Sequence, residues 1–281
     1  MTVRIDSHQH FWRPARGDYG WLTPELTVLY RDYMPRDLEP LLEQNDVQKS
    51  VLIQAAPTTE ETYFMLRLAA RNGFVAGVVG WVDMEDSGES LEVLEELSTI
   101  DKFLGVRPMI QDIADPDWML RPELDAVFRK LIELDLRFDA LVLPVHLSNL
   151  IELLKRYPEL KLVVDHGGKP DIDAGAMQPW ADDMSAIAGQ SGAFCKLSGL
   201  ITETAETQSY EDVWPYCDHL LQCFGADRLM WGSDWPVLNL RGDYNDWHNS
   251  FTEWLSPLSD AEREAILGAT ATRFYALSTE S

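Results

Sequence analysis

Short apolar runs alternate along this chain with segments of helical spacing, and that alternation restricts the fold more than any other feature. Strand-like runs rich in β-branched and aromatic residues fall at 3–10, 50–55, 75–82, 103–109, 136–142, 160–165, 194–197 and 228–231. Between them, 58–72, 90–100, 122–134, 147–157 and 210–223 place apolar residues three and four apart, the spacing of an amphipathic helix. Strands separated by helices pair in parallel, because a parallel neighbour is reached only through a crossover. Eight such units in 281 residues predict an α/β fold of the (β/α)8 TIM-barrel type, whose usual size is about 250 residues. A doubly wound open sheet is the alternative, but no GxGxxG follows the first strand, which weakens its dinucleotide-binding form. No repeat, low-complexity tract or Gly/Ser/Pro-rich linker interrupts the pattern, so one domain over 1–281 is expected.

Charge and cysteine content narrow the function. The net charge is −24, which repels phosphate backbones and anionic lipid, so neither nucleic acid nor a membrane is an expected partner. Three cysteines without a CxxC argue against a disulfide framework or a zinc ribbon. No run has signal-peptide or membrane-spanning length, and a cytoplasmic location is expected. The stretch 83–101 carries eight acids and no base, which reads as the solvated face of a helix.

Titratable residues gather at strand ends. His8 and His10 close the first strand, and residues two apart point to the same side. His166 follows the sixth strand ahead of Gly167 and Gly168, and alternation would turn Asp165 away from it. Asp234 lies just past the eighth strand, which neighbours the first in a closed barrel. The longest loops, 11–34, 110–121, 167–179 and 232–244, follow strands one, four, six and eight. All belong to the C-terminal face, where barrel active sites are built. Two or three imidazoles and a carboxylate on one face can bind a metal or stabilise an oxyanion, while the carboxylate takes a proton from water.

The sequence resembles the amidohydrolase superfamily, and within it the sugar-lactonase branch. The resemblance rests on Asp6-Ser7-His8-Gln9-His10-Phe11-Trp12, Asp18-Tyr19-Gly20-Trp21-Leu22, Gln54-Ala55-Ala56, Gly80-Trp81-Val82-Asp83 and Gly105-Val106-Arg107. It continues through Asp165-His166-Gly167-Gly168-Lys169-Pro170, Cys195-Lys196-Leu197-Ser198-Gly199-Leu200 and Gly232-Ser233-Asp234-Trp235-Pro236-Val237. It implies a hydrolase that opens a sugar lactone of the L-fucono- or L-rhamnono- kind. Asp234 would be the base, and His8, His10 and His166 would stabilise the oxyanion or hold one divalent metal such as zinc. The superfamily's bridging lysine on strand four is missing, since that strand ends in Arg107, so a binuclear centre is not expected. His146 reads as the start of a helix rather than a ligand. Arg107, Lys169, Gln54, Trp21, Trp81 and Trp235 are expected against the substrate, with Tyr19, Asp83 and Lys196 near them. The partner is then a small sugar lactone, with a homo-oligomer left open. A metal-dependent decarboxylase of the same superfamily and a non-catalytic binding barrel are the competing readings. No G-x-S-x-G elbow supports a serine hydrolase.

Overall fold

The computed structural model describes residues 2–278. The expected domain, 1–281, therefore exceeds it by Met1 and residues 279–281. Eight strands run in chain order: β1 (Ile5–Gln9), β2 (Lys49–Ile53), β3 (Val75–Gly80), β4 (Phe103–Val106), β5 (Arg137–Ala140), β6 (Lys161–Val164), β7 (Phe194–Leu197) and β8 (Leu229–Trp231). Each pairs in parallel with the next, in the order β1 to β8. The ring is completed just past β8, where Asp234 N donates to His8 O at 2.8 Å and His10 N donates to Trp235 O at 2.7 Å. Helices α1 (Pro35–Gln44), α2 (Thr59–Ala69), α3 (Ser87–Ser98), α4 (Asp125–Glu133), α5 (Leu147–Arg156), α6 (Trp180–Gln190), α7 (Trp214–Phe224) and α8 (Tyr244–Trp254) form the outer layer. The chain then adds α9 (Asp260–Glu264) and α10 (Thr270–Tyr275). This is the (β/α)8 barrel that the alternation predicts.

Side-chain alternation divides the apolar residues between two cores. Val51, Ile53, Val79, Leu104, Val163 and Met230 fill the barrel interior, where Phe274 and Tyr275 of α10 plug the lower end. Their neighbours Leu52, Val78, Phe103, Leu162, Val164, Leu229 and Trp231 point outward and pack beneath the helices. Ile5 belongs to the interior set, so strict alternation along β1 would send His8 outward. The register with β2 shifts between Asp6 and Gln9, and this irregularity turns His8 inward.

Several elements depart from the sequence reading. Strands β1 to β6 stop one to three residues before the predicted ends, as at Gly80 and Val106, while β7 and β8 end where expected. The helix expected over 210–223 opens as a 3-10 turn at Tyr210–Asp212, and α7 starts at Trp214 with Pro215 in its first turn. Helices α1, α6, α8, α9 and α10 were not expected from periodicity. The acidic run forms α3 and its approach, with Ser90, Leu94 and Leu97 buried and the acids outward. No helix among the described residues is long and apolar enough to cross a membrane.

Candidate active site

Three imidazoles surround one carboxylate oxygen at the barrel mouth. Asp234 Oδ1 lies 3.2 Å from His10 Nε2, 3.6 Å from His8 Nε2 and 3.9 Å from His166 Nε2. The rings come from the ends of β1 and β6 and the carboxylate from just past β8, and both Asp234 and His166 reach inward through left-handed backbone, at φ 58° and 54°. Such angles are costly for residues with a Cβ and cluster at functional sites. Gly199 makes the convergence sterically feasible. Its φ is +62°, and a Cβ there would sit 2.5 Å from His166 Nδ1.

Hydrogen bonds decide which ring nitrogens face the carboxylate with a lone pair. His10 Nδ1 lies 2.9 Å from Ile53 O, which can only accept, so Nδ1 carries the hydrogen. The neutral ring then aims an Nε2 lone pair at a carboxylate oxygen. Two acceptors at 3.2 Å are stable only with a proton or a metal cation between them. His166 Nδ1 contacts Ser198 Oγ at 2.9 Å. Because a hydroxyl can donate or accept, His166 can present either Nε2–H or an Nε2 lone pair.

Electrostatics separates the roles further. Burial opposes ionisation of Asp234, but His166, His10 and His8 outweigh it and hold this carboxyl far below its usual range. Burial pushes the His166 pKa down to about 4, against the pull of Asp234 and Asp165. His8 is driven well down by burial and by Lys196, whose Nζ stands 3.2 Å from its Nδ1. Arg107 Nη1 flanks the opposite nitrogen of His8 at 3.4 Å.

A second charged cluster lies directly beneath. Lys196 Nζ sits 2.5 Å from Asp139 Oδ2 and 3.0 Å from Asp165 Oδ1, with all three side chains fully buried. Tyr275 of α10 donates to Asp139 Oδ2 at 2.7 Å. One lysine serves two carboxylates, and they divide. Burial pushes Asp139 up to about 6, whereas Lys196, His8 and Arg107 overcome burial at Asp165 and hold it well below its usual range. The expectation that Asp165 faces away from His166 is corrected here. β6 ends at Val164, the chain enters a 3-10 turn, and alternation lapses. Asp165 Oδ1 approaches His8 Nδ1 at 3.5 Å, while the His166 ring packs 4.5 Å from the His8 ring.

The mouth opens into a cleft of about 180 Å³ lined by His10, His166, Asp234, Arg107, Lys169 and Trp21 among others. Arg107 spends much of its guanidinium on Gln54, donating to its carbonyl and to Oε1. Lys169 donates to Gln111 Oε1 at 3.1 Å and pairs with Glu203 at the same distance. The other expected residues fall elsewhere. His8 and Gln54 are fully buried behind the cleft wall, Gln54 as the brace for Arg107. Trp235 is 3% exposed and packs edge-on against Phe11 and Tyr33. Trp81 and Asp83 line a neighbouring hollow. Tyr19 is buried, and Lys196 holds the lower cluster. His146 is structural as expected: its Nδ1 accepts from Leu143 N at 3.0 Å. Gln111, Thr202 and Met109 line the cleft without having been singled out.

Two groupings bring potential ligand atoms close together: His8, His10 and Asp234, and His8, Asp165 and His166. The donor set of imidazole nitrogens and a carboxylate suits zinc, and the Nδ1–H of His10 on a backbone carbonyl is the usual support of a metal-binding histidine. With the lone pair of His10 facing Asp234, the residues fit one divalent cation.

The amidohydrolase family profile matches residues 5–277. The chain belongs to the amidohydrolase family. It is 42% identical to the L-fucono-1,5-lactonase of Burkholderia ambifaria, across 100% of this chain and 98% of that protein. It is 37% identical to the L-fucono-1,5-lactonase of Burkholderia multivorans, over 98% and 97%. A solved amidohydrolase structure from Burkholderia multivorans with bound zinc superposes with a TM-score of 0.92 at 35% identity, over 98% of this chain and all of that one.

Proposed function

We propose that this enzyme hydrolyses a sugar 1,5-lactone of the L-fucono- or L-rhamnono- class to the aldonic acid. The observation that carries the reading is the single carboxylate oxygen of Asp234 ringed by three imidazoles at the mouth of a small cleft. The full-length likeness to two L-fucono-1,5-lactonases supports the substrate class.

The chemistry follows from the positions of the groups. A water beside Asp234 gives its proton to the carboxylate as its oxygen attacks the lactone carbonyl. The tetrahedral intermediate then collapses, the bond from C1 to the ring oxygen breaks, and the proton held by Asp234 passes to that ring oxygen. Held low by its neighbours, Asp234 is ionised at neutral pH and ready to accept. His166 is neutral there and can offer Nε2–H to the developing oxyanion while Ser198 donates to Nδ1. Lys169 and Arg107 add positive charge on the same wall, suited to a carbonyl that becomes a carboxylate. His8 is walled off from the cleft and acts on Asp234 from behind. His8, His10, His166 and Asp234 would hold a divalent metal such as zinc. When bound, such an ion polarises the carbonyl as a Lewis acid and balances the charge on its oxygen.

The three cysteines are free thiols, which fits a reducing cytoplasm. The deciding experiment is a pH-indicator assay over a panel of aldonolactones, with and without chelator. Turnover of L-fucono- or L-rhamnono-lactone is expected. Loss with chelator and return with zinc places a metal on the histidines, and unchanged turnover assigns the position between His10 and Asp234 to a proton. Carbon dioxide release from a carboxylated substrate, with no lactone opened, replaces this reading with the decarboxylase.

A further inference from the structure

The catalytic cleft does not end at its own walls. At about 180 Å³ it falls below the 300–1,000 Å³ of ordinary ligand sites, whereas the hollow beside it measures about 600 Å³. Trp21, Met109 and Asp112 line both, so the two spaces share a boundary. Their chemistry differs. The cleft carries Arg107 and Lys169, and the hollow is lined by no basic residue at all among those described.

We infer that the hollow is a second substrate subsite, which takes an uncharged sugar ring carried on the lactone. This deepens the lactonase reading and rests on it. Two indoles are fixed there by their own N–H groups: Trp21 Nε1 donates to Ala55 O at 2.7 Å and Trp118 Nε1 to Glu85 Oε1 at 2.8 Å. With Trp81 they form rigid apolar walls of the kind on which the C–H face of a pyranose packs. The acids sort by what already occupies them. Asp18 pairs with Arg16 and Glu85 with Arg121, but Asp112 has no side-chain hydrogen bond or ion pair among the described residues. Asp112 is therefore open to accept a sugar hydroxyl. A uronate or phosphate would face Asp83 and Asp112, which pair with no basic side chain among the described residues, and a bare alkyl group would leave Asp112 without a partner. The arrangement also orients the substrate. The end that becomes a carboxylate lies toward Arg107 and Lys169, and the neutral ring lies toward the tryptophans.

The test compares each monosaccharide 1,5-lactone with the same lactone carrying one neutral hexose, attached in turn at each ring hydroxyl. The second subsite predicts a glycosylated lactone with kcat/KM at least tenfold above its bare core. Ile113→Trp fills the hollow from a wall that the cleft does not share. It should return that ratio to about one while turnover of the bare lactone stays within twofold. Trp81→Leu, a second variant, should lower the same ratio. If bare lactones are opened and every glycosylated one is equal or slower, the subsite is overturned and the lactonase reading stands. If no lactone is opened, the lactonase reading fails, and the hollow is judged by tryptophan fluorescence. Ten times tighter binding of a glycosylated aldonate than of its bare counterpart, lost in Ile113→Trp, then supports it, and equal affinities overturn it.

Discussion

Two clusters of buried charge lie one above the other in this barrel, and they solve the same problem in opposite ways. In the lower, a fixed cation, Lys196, stands between Asp139 and Asp165. In the upper, Asp234 faces imidazoles whose charge is not fixed, and a lone pair of His10 opposes it at 3.2 Å. The lower cluster holds its cation permanently on a fixed side chain and is closed to solvent. The upper one requires a mobile proton or a metal, and it alone meets the cleft. In the proposed reaction, the buried carboxylate that reacts is the one from which the protein withholds a permanent counter-ion.

That contrast can be broken from either side. The largest effect is expected for Asp234→Asn, which removes the proposed proton acceptor but keeps its backbone bond to His8. A loss of about 10²–10⁴ in kcat, with the melting temperature nearly unchanged, is the expected result in a lactone assay. Lys196→Met should do the reverse and act first on stability. It strands two buried carboxylates, for a loss of about 3–5 kcal/mol in urea denaturation, and adding Asp139→Asn should restore part of it.

Glu61 sharpens the comparison, because it has neither a lysine nor imidazoles. It is fully buried and accepts from Ala55 N and Ala56 N at 2.9 and 2.7 Å, yet burial pushes its pKa up to about 7. A carboxyl raised by folding stabilises the protein fully below its unfolded pKa, and this is lost as pH rises through the folded value. Wild-type stability should therefore fall between about pH 4.5 and 7, by at most ~3 kcal/mol from this group. Glu61→Gln should flatten that slope in melting curves. The smallest effect is expected for Tyr275→Phe. It removes one hydrogen bond to Asp139, for about 1 kcal/mol, and leaves kcat within twofold.

Much of the frame was legible because barrel strands are buried on both faces and read as continuous apolar runs. His8, His10, His166 and Asp234 could be found because each stands at a strand end. Helices such as α8, reading Tyr244-Asn-Asp-Trp-His-Asn, were hidden by residues of low helical propensity. Its start is set instead by the Asp243 cap, which accepts from Asp246 N. The lower cluster left one readable trace, an aspartate between Phe138 and Ala140 and a lysine between Cys195 and Leu197, in strands buried by apolar neighbours. Which nitrogen of His10 carries its proton depends on the carbonyl of Ile53, 43 residues away, and no local pattern conveys that.

The join between β8 and β1 has a consequence for how this enzyme comes into being. One of the two backbone bonds that close the ring, Asp234 N to His8 O, also hangs the proposed proton acceptor on the strand that supplies two of its imidazoles. A chain with seven strands assembled has neither a sealed sheet nor a complete site, because both wait for the same pair of backbone bonds, each spanning more than two hundred residues. Turnover therefore reports on closure of the ring. In a refolding experiment, recovered activity would count barrels that have shut, while spectroscopic helix content would count those still ajar as well.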